Sequence, residues 1–120
     1  MAAFSNSSLS DANTILALQE AAVSGQSHHI YGFEAVVEVV ATAATPVVIA
    51  IKSSTTVLYQ TTFVASAAVG TRIARDFTKP LVCTAGELAE LNVTAGGTTN
   101  KMRGSFHGQT TAAVGTRGVG

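Results

Sequence analysis

HHIYGFEAVVEVVATAATPVVIAIK, residues His28 to Lys52, is the stretch whose reading decides the fold. Two runs rich in Val, Ile, Tyr and Phe flank the small-residue break from Ala41 to Thr45, and Pro46 opens the second run. β-Branched and aromatic residues in paired runs predict neighbouring strands. Both runs are too apolar and too long for edges, so they are expected at the centre of an all-β domain. In the first run the alternate residues His29, Tyr31, Phe33, Ala35, Val37 and Val39 form the expected inward stripe. Ile30, Gly32, Glu34, Val36, Glu38 and Val40 form the other side. Val47, Ile49 and Ile51 alternate with Val48 and Ala50 in the second run, which suits a central strand.

Working outward, Ser53-Ser54 turns the chain into a third strand, Thr56 to Phe63, and the three together predict a meander. Thr71 to Phe77 reads as a strand with Ile73 and Phe77 inward, Lys79-Pro80 as a turn, and Pro80 to Cys83 as a short strand start. Thr84-Ala85-Gly86 turns again. Leu88 to Thr94 places Ala89, Leu91 and Val93 on one side, and Gly96-Gly97 is expected to close a hairpin onto the last strand, Lys101 to Gln109. That strand alternates best, with Met102, Gly104, Phe106 and Gly108 against Lys101, Arg103, Ser105, His107 and Gln109. Upstream, Thr14 to Val23 fits a helical face, but a lone short helix is marginal, so a first strand is favoured. Residues 1–13 and 110–120 are poor in apolar side chains and read as an extended N-terminal arm and a flexible C-terminal tail around a domain at 14–109. About seven or eight strands at this spacing predict an antiparallel β-sandwich.

Composition narrows the function. Apolar residues make up 47% and charged residues 12%, about half the usual charged share, which predicts a surface partly covered by other protein. Seven basic residues balance seven acidic ones without a basic cluster, against nucleic-acid binding. Glu34 and Glu38 interrupt the best apolar stretch, against a membrane helix. The opening MAAFSNSSLSD lacks a basic leader and apolar region, so no signal peptide is expected there.

No chemistry is written plainly. Cys83 is the single cysteine, which is expected to be a small buried apolar residue and excludes an internal disulfide. His28 and His29 point to opposite faces of one strand, so a metal would need His107 and a carboxylate from elsewhere. Ser, His and Asp are present without a nucleophile-elbow context. Glu34 and Glu38 stand about 13 Å apart along an extended chain, too far for paired glycosidase carboxylates. Gly96-Gly97 lacks the lysine of a phosphate-binding loop. No catalytic, cofactor-binding or metal-ligating residue is therefore assigned, and no cofactor or enzyme activity is expected.

Four segments carry a resemblance: SGQSHHIYGFEAVV, PVVIAIKSSTTVLYQ, DFTKPLVCTAGELAELNV with its Thr84-Ala85-Gly86-Glu87-Leu88 turn, and KMRGSFHGQ. From about Ala17 to Gln109 the chain resembles the small β-sandwich structural proteins of tailed bacteriophage virions. The resemblance implies a jelly-roll-like sandwich that attaches to the virion, most often as a capsid decoration (cement) protein. It further implies binding to the outside of the major capsid protein shell, stabilisation of the head, and assembly as a homotrimer in the host cytoplasm. The competing reading is a tail- or fibre-associated carbohydrate- or receptor-binding module, which needs exposed aromatics. The chain has no Trp, and its only tyrosines are Tyr31 and Tyr59.

Overall fold

A computed structural model describes residues 2–39, 43–44, 46–63 and 68–112. Ten strands follow in chain order: β1 (Ala2–Leu9), β2 (Leu16–Glu20), β3 (Gln26–Val39), β4 (Ala43–Ala44), β5 (Val47–Ser53), β6 (Thr56–Phe63), β7 (Arg72–Val82), β8 (Ala89–Val93), β9 (Gly97–Thr98) and β10 (Lys101–Ala112). Two four-stranded sheets are ordered β1-β10-β3-β7 and β2-β8-β5-β6, with β4 and β9 forming a small ladder of their own. Every pairing is antiparallel. With the short β4–β9 ladder set aside, successive long strands divide between the sheets in the orders 1-8-3-6 and 2-7-4-5. That interleaving is a jelly roll, so the expected all-β sandwich is the fold, with eight long strands.

The core lies between the inner faces. Phe106, Met102, Phe33, Ala35 and Val37 of the first sheet meet Leu16, Leu91, Val93, Ile49 and Ile51 of the second. β8 and β10 keep the alternation expected of them: Ala89, Leu91 and Val93 are fully buried, as are Met102 and Phe106, while Arg103 and His107 are exposed. β3 and β5 are internal strands, as their apolar content requires. Aromatic rings pack in two clusters. Phe4 meets His28 and Phe106 edge-on, with ring centroids 5.6 Å apart in both pairs. On the other side Phe33, Tyr59 and Phe77 form a second cluster.

Six expectations need correction. Residues 2–9 are not a free arm. They form β1, paired residue for residue with β10 from Ala2↔Thr110 to Leu9↔Arg103. An edge strand is held by its backbone ladder, so its side chains can be polar and still join a sheet. The inward stripe of β3 holds only from Phe33 to Val37. Before it, His28 and Ile30 are buried, and Tyr31 is exposed. Tyr31 is an extra residue opposite the step from His107 to Gly108, and this bulge shifts the side-chain phase by one. The predicted meander fails because β5 and β6 form a hairpin in the second sheet, whereas β3 lies in the first. Gly96-Gly97 closes no hairpin, since β8 and β10 belong to different sheets, and the segment carries the chain across the sandwich. Lys79-Pro80 does not end a strand. β7 runs on to Val82, but its register against β3 breaks between Asp76 and Leu81, where Pro80 has no N–H to offer. The tail begins later than expected, since β10 continues to Ala112, and residues 113–120 lie outside the described residues.

Candidate interaction surface

Each histidine and carboxylate weighed for chemistry has a definite place. His28 is wholly buried, with Nε2 2.8 Å from the Ala21 carbonyl oxygen and Nδ1 2.6 Å from Thr110 Oγ1. A carbonyl only accepts, so Nε2 carries a proton and donates to Ala21. Both ring nitrogens are thereby occupied in tying β3 to β10 and to the segment after β2. His29 and His107 lie in the first sheet at separate register positions, His29 beside Gln109 and His107 beside Gly32. Among the described residues no group of three His, Cys, Asp or Glu side chains could hold a metal ion.

One register row places Ser5, His107, Gly32 and Asp76 side by side across β1, β10, β3 and β7. Gly32 makes this possible, because a Cβ there would lie 2.6 Å from His107 Cε1 and 2.8 Å from Asp76 Oδ1. The imidazole and carboxylate therefore lean over a bare stretch of backbone. All three side chains stand exposed. No hydrogen bond links them among the described residues, and a triad works through such links together with converging oxyanion donors.

The two outer faces differ in charge. On the first sheet, Glu34 pairs with Arg72 at 2.9 Å and Glu38 with Arg103 at 2.8 Å, all four side chains being 37–62% exposed. Pairs this wet contribute about 0–1 kcal/mol each, so they mark a solvated face rather than a structural lock. The second sheet presents Ala17, Gln19, Asn92, Val48, Ala50, Gln60 and Thr62 outward. Its one opposed charge pair is Lys52 beside Glu90 in register. Glu90 is nearly covered, its carboxylate accepting from Gln19 Nε2 at 2.7 Å and Asn92 Nδ2 at 3.0 Å. The result is a face of small apolar, hydroxyl and amide side chains that is close to neutral.

Two buried polar clusters serve the loops at opposite ends. Asn100 Oδ1 accepts from Gly96 N at 3.1 Å and its Nδ2 donates to the Val39 carbonyl at 3.1 Å, fixing the crossover between sheets. At the other end Ser53 Oγ donates to Glu87 Oε1 at 2.7 Å and accepts from Thr84 N at 2.9 Å. Cys83 lies beside this cluster and is buried, as the sequence predicts. Desolvation pushes its thiol pKa above the ordinary value; a hydrogen bond with Ser53 lowers it, and the Glu87 carboxylate adds to the rise. Of the tyrosines, Tyr59 packs inward with Phe33 and Phe77, and Tyr31 stands exposed at the bulge. No helix among the described residues is long and apolar enough to cross a membrane.

The sequence could not locate the neutral face, because that depends on which strands share a sheet. No protein-family model matches the chain, and no curated protein matches it either.

Proposed function

We propose that this chain is a structural protein of a tailed-phage virion, a decoration protein that binds the outside of the major capsid protein shell and stabilises the head. It works by binding rather than by chemistry, as a homotrimer on the capsid surface. The observation that carries the reading is the contrast between the outer faces. A shell protein needs one side that loses little on desolvation, and the second sheet offers it in the exposed Ala17, Gln60 and Thr62 and their neighbours. The first sheet, with its arginine–glutamate pairs, suits water. The resemblance of the strand segments to virion β-sandwich proteins and the jelly-roll order of the sheets agree with this use, since jelly rolls recur in viral capsid domains. The sugar-binding alternative is left with one exposed aromatic, Tyr31.

Cosedimentation with empty heads of a tailed phage carrying this chain tests the reading. Saturable binding is expected, weakened at least tenfold by Thr62→Glu with Ala17→Glu on the second sheet and unchanged by Ser105→Glu on the first. Absence of saturable binding, or equal sensitivity of the two faces, would overturn it.

A further inference from the structure

The two four-stranded sheets end in the edge strands β1, β7, β2 and β6, and these are not equally guarded against pairing with another chain. β7 carries Arg72, Arg75, Asp76, Lys79 and Pro80 along with a broken register. β6 has a register shift opposite the Ile51–Lys52 step, and β2 has only 5 residues and ends on Glu20. Charge, proline, bulges and shortness are the devices that keep edges apart. β1, AAFSNSSL, has none of them: it is uncharged and proline-free, and its register with β10 is unbroken.

The hydrogen-bond phase of β1 follows from its last rung. Ser10 N donates to the Met102 carbonyl at 2.9 Å, in line with the ladder. Bonded and non-bonded pairs alternate, so Ser8, Asn6 and Phe4 turn their backbone groups towards β10. The N–H and C=O groups of Ala3, Ser5, Ser7 and Leu9 are left pointing to the free edge. These four residues are exposed, and among the described residues no strand pairs with that edge.

We propose that this edge joins a second copy of the chain, β1 to β1, antiparallel across a two-fold axis. Opposed side chains must lie on the same side of the joined sheet, which limits the register, and the outward groups select among what remains. Centring the axis on Asn6 sets Ala3 against Leu9 of the second copy and Ser5 against Ser7 of the second copy, with the reciprocal pairs. All four outward residues are then engaged. An axis at Ser5 leaves Leu9 unused, and one at Ser7 leaves Ala3 unused. The uncharged strand meets its copy without like-charge opposition, and the merged sheet runs continuously from one β7 to the other. This contact does not depend on the shell reading. Being two-fold, it joins neighbouring trimers as readily as it joins single chains.

Cysteine cross-linking tests it. The two copies of Asn6 face each other in a non-bonded pair with Cα atoms about 4.5 Å apart, within disulfide reach. In the full chain with Cys83→Ala, mild oxidation of Asn6→Cys is expected to give a covalent dimer as the main product. Ser8→Cys, which faces Phe4 of the second copy, should give less than a tenth as much. Adding Ser7→Pro removes an outward N–H and no bond to β10, so cross-linking should fall at least tenfold while the far-ultraviolet dichroism of the fold is kept. Should that variant fail to fold, Ser5→Lys with Ser7→Lys sets lysine against lysine and should give the same loss. Equal yields from Asn6→Cys and Ser8→Cys overturn the proposal, as does a yield that the folded blocking variant leaves unchanged.

Discussion

Phe4 and Phe106 make the attachment of β1 measurable. Phe106 is 1% exposed at the centre of β10, and Phe4 lies over it from β1 with ring centroids 5.6 Å apart at an interplanar angle of 64°. Phe106→Ala removes a fully buried aromatic and is expected to cost about 3–5 kcal/mol. Phe4 is half-buried, so Phe4→Ala forfeits part of a side-chain burial, about 2 kcal/mol. The edge-on pair adds about 0.5–1.5 kcal/mol beyond area, and this term vanishes in either single variant. The double variant should therefore be less destabilised than the sum of the singles by about 1 kcal/mol. Urea denaturation of the four proteins, at unchanged slope, gives the cycle directly. A Phe4→Ala cost below about 0.5 kcal/mol, with coupling inside the roughly 0.3 kcal/mol of ordinary additivity, would mean that residues 2–9 do not lie in the sheet.

Two further outcomes follow from local geometry. A Cβ at Gly108 would overlap the His29 carbonyl oxygen at the bulge, so Gly108→Ala should cost about 3 kcal/mol or more, whereas Gly86→Ala, at φ 78° with open space around it, should cost about 1 kcal/mol in the same denaturation assay. Burial raises the Cys83 pKa above its unfolded value, so its contribution is fully present below the unfolded pKa and is lost as pH rises through the folded one; melting at successive alkaline pH values should fall more steeply for the parent than for Cys83→Ala, and parallel slopes would contradict the assignment.

How much was legible depended on what each strand asks of its side chains. β10 buries one face and wets the other, and β8 sends its apolar residues Ala89, Leu91 and Val93 to one face and the polar Glu90 and Asn92 to the other, so period-two alternation reads both directly. β3 defeats the same reading in its first half, because one extra residue at Tyr31 reverses the phase and no residue type announces a bulge. β1 is invisible to composition, since its ladder is made by backbone groups that every sequence carries. The partition into sheets was also out of reach: consecutive strands usually pair, but here β3 and β5 separate and β10 returns between β1 and β3. The neutral outer face and the unguarded edge both emerge only from that partition, which is why the sequence offered a resemblance and no surface.

Amide hydrogen exchange along β1, read by nuclear magnetic resonance in dilute solution, tests most directly whether this strand is both part of the sandwich and open at its outer edge. The account predicts alternation: slow exchange at Phe4, Asn6 and Ser8, whose N–H groups face β10, and fast exchange at Ala3, Ser5, Ser7 and Leu9. Uniformly fast exchange would return residues 2–9 to a free arm, and uniformly slow exchange in the monomer would mean that the outer edge is already occupied.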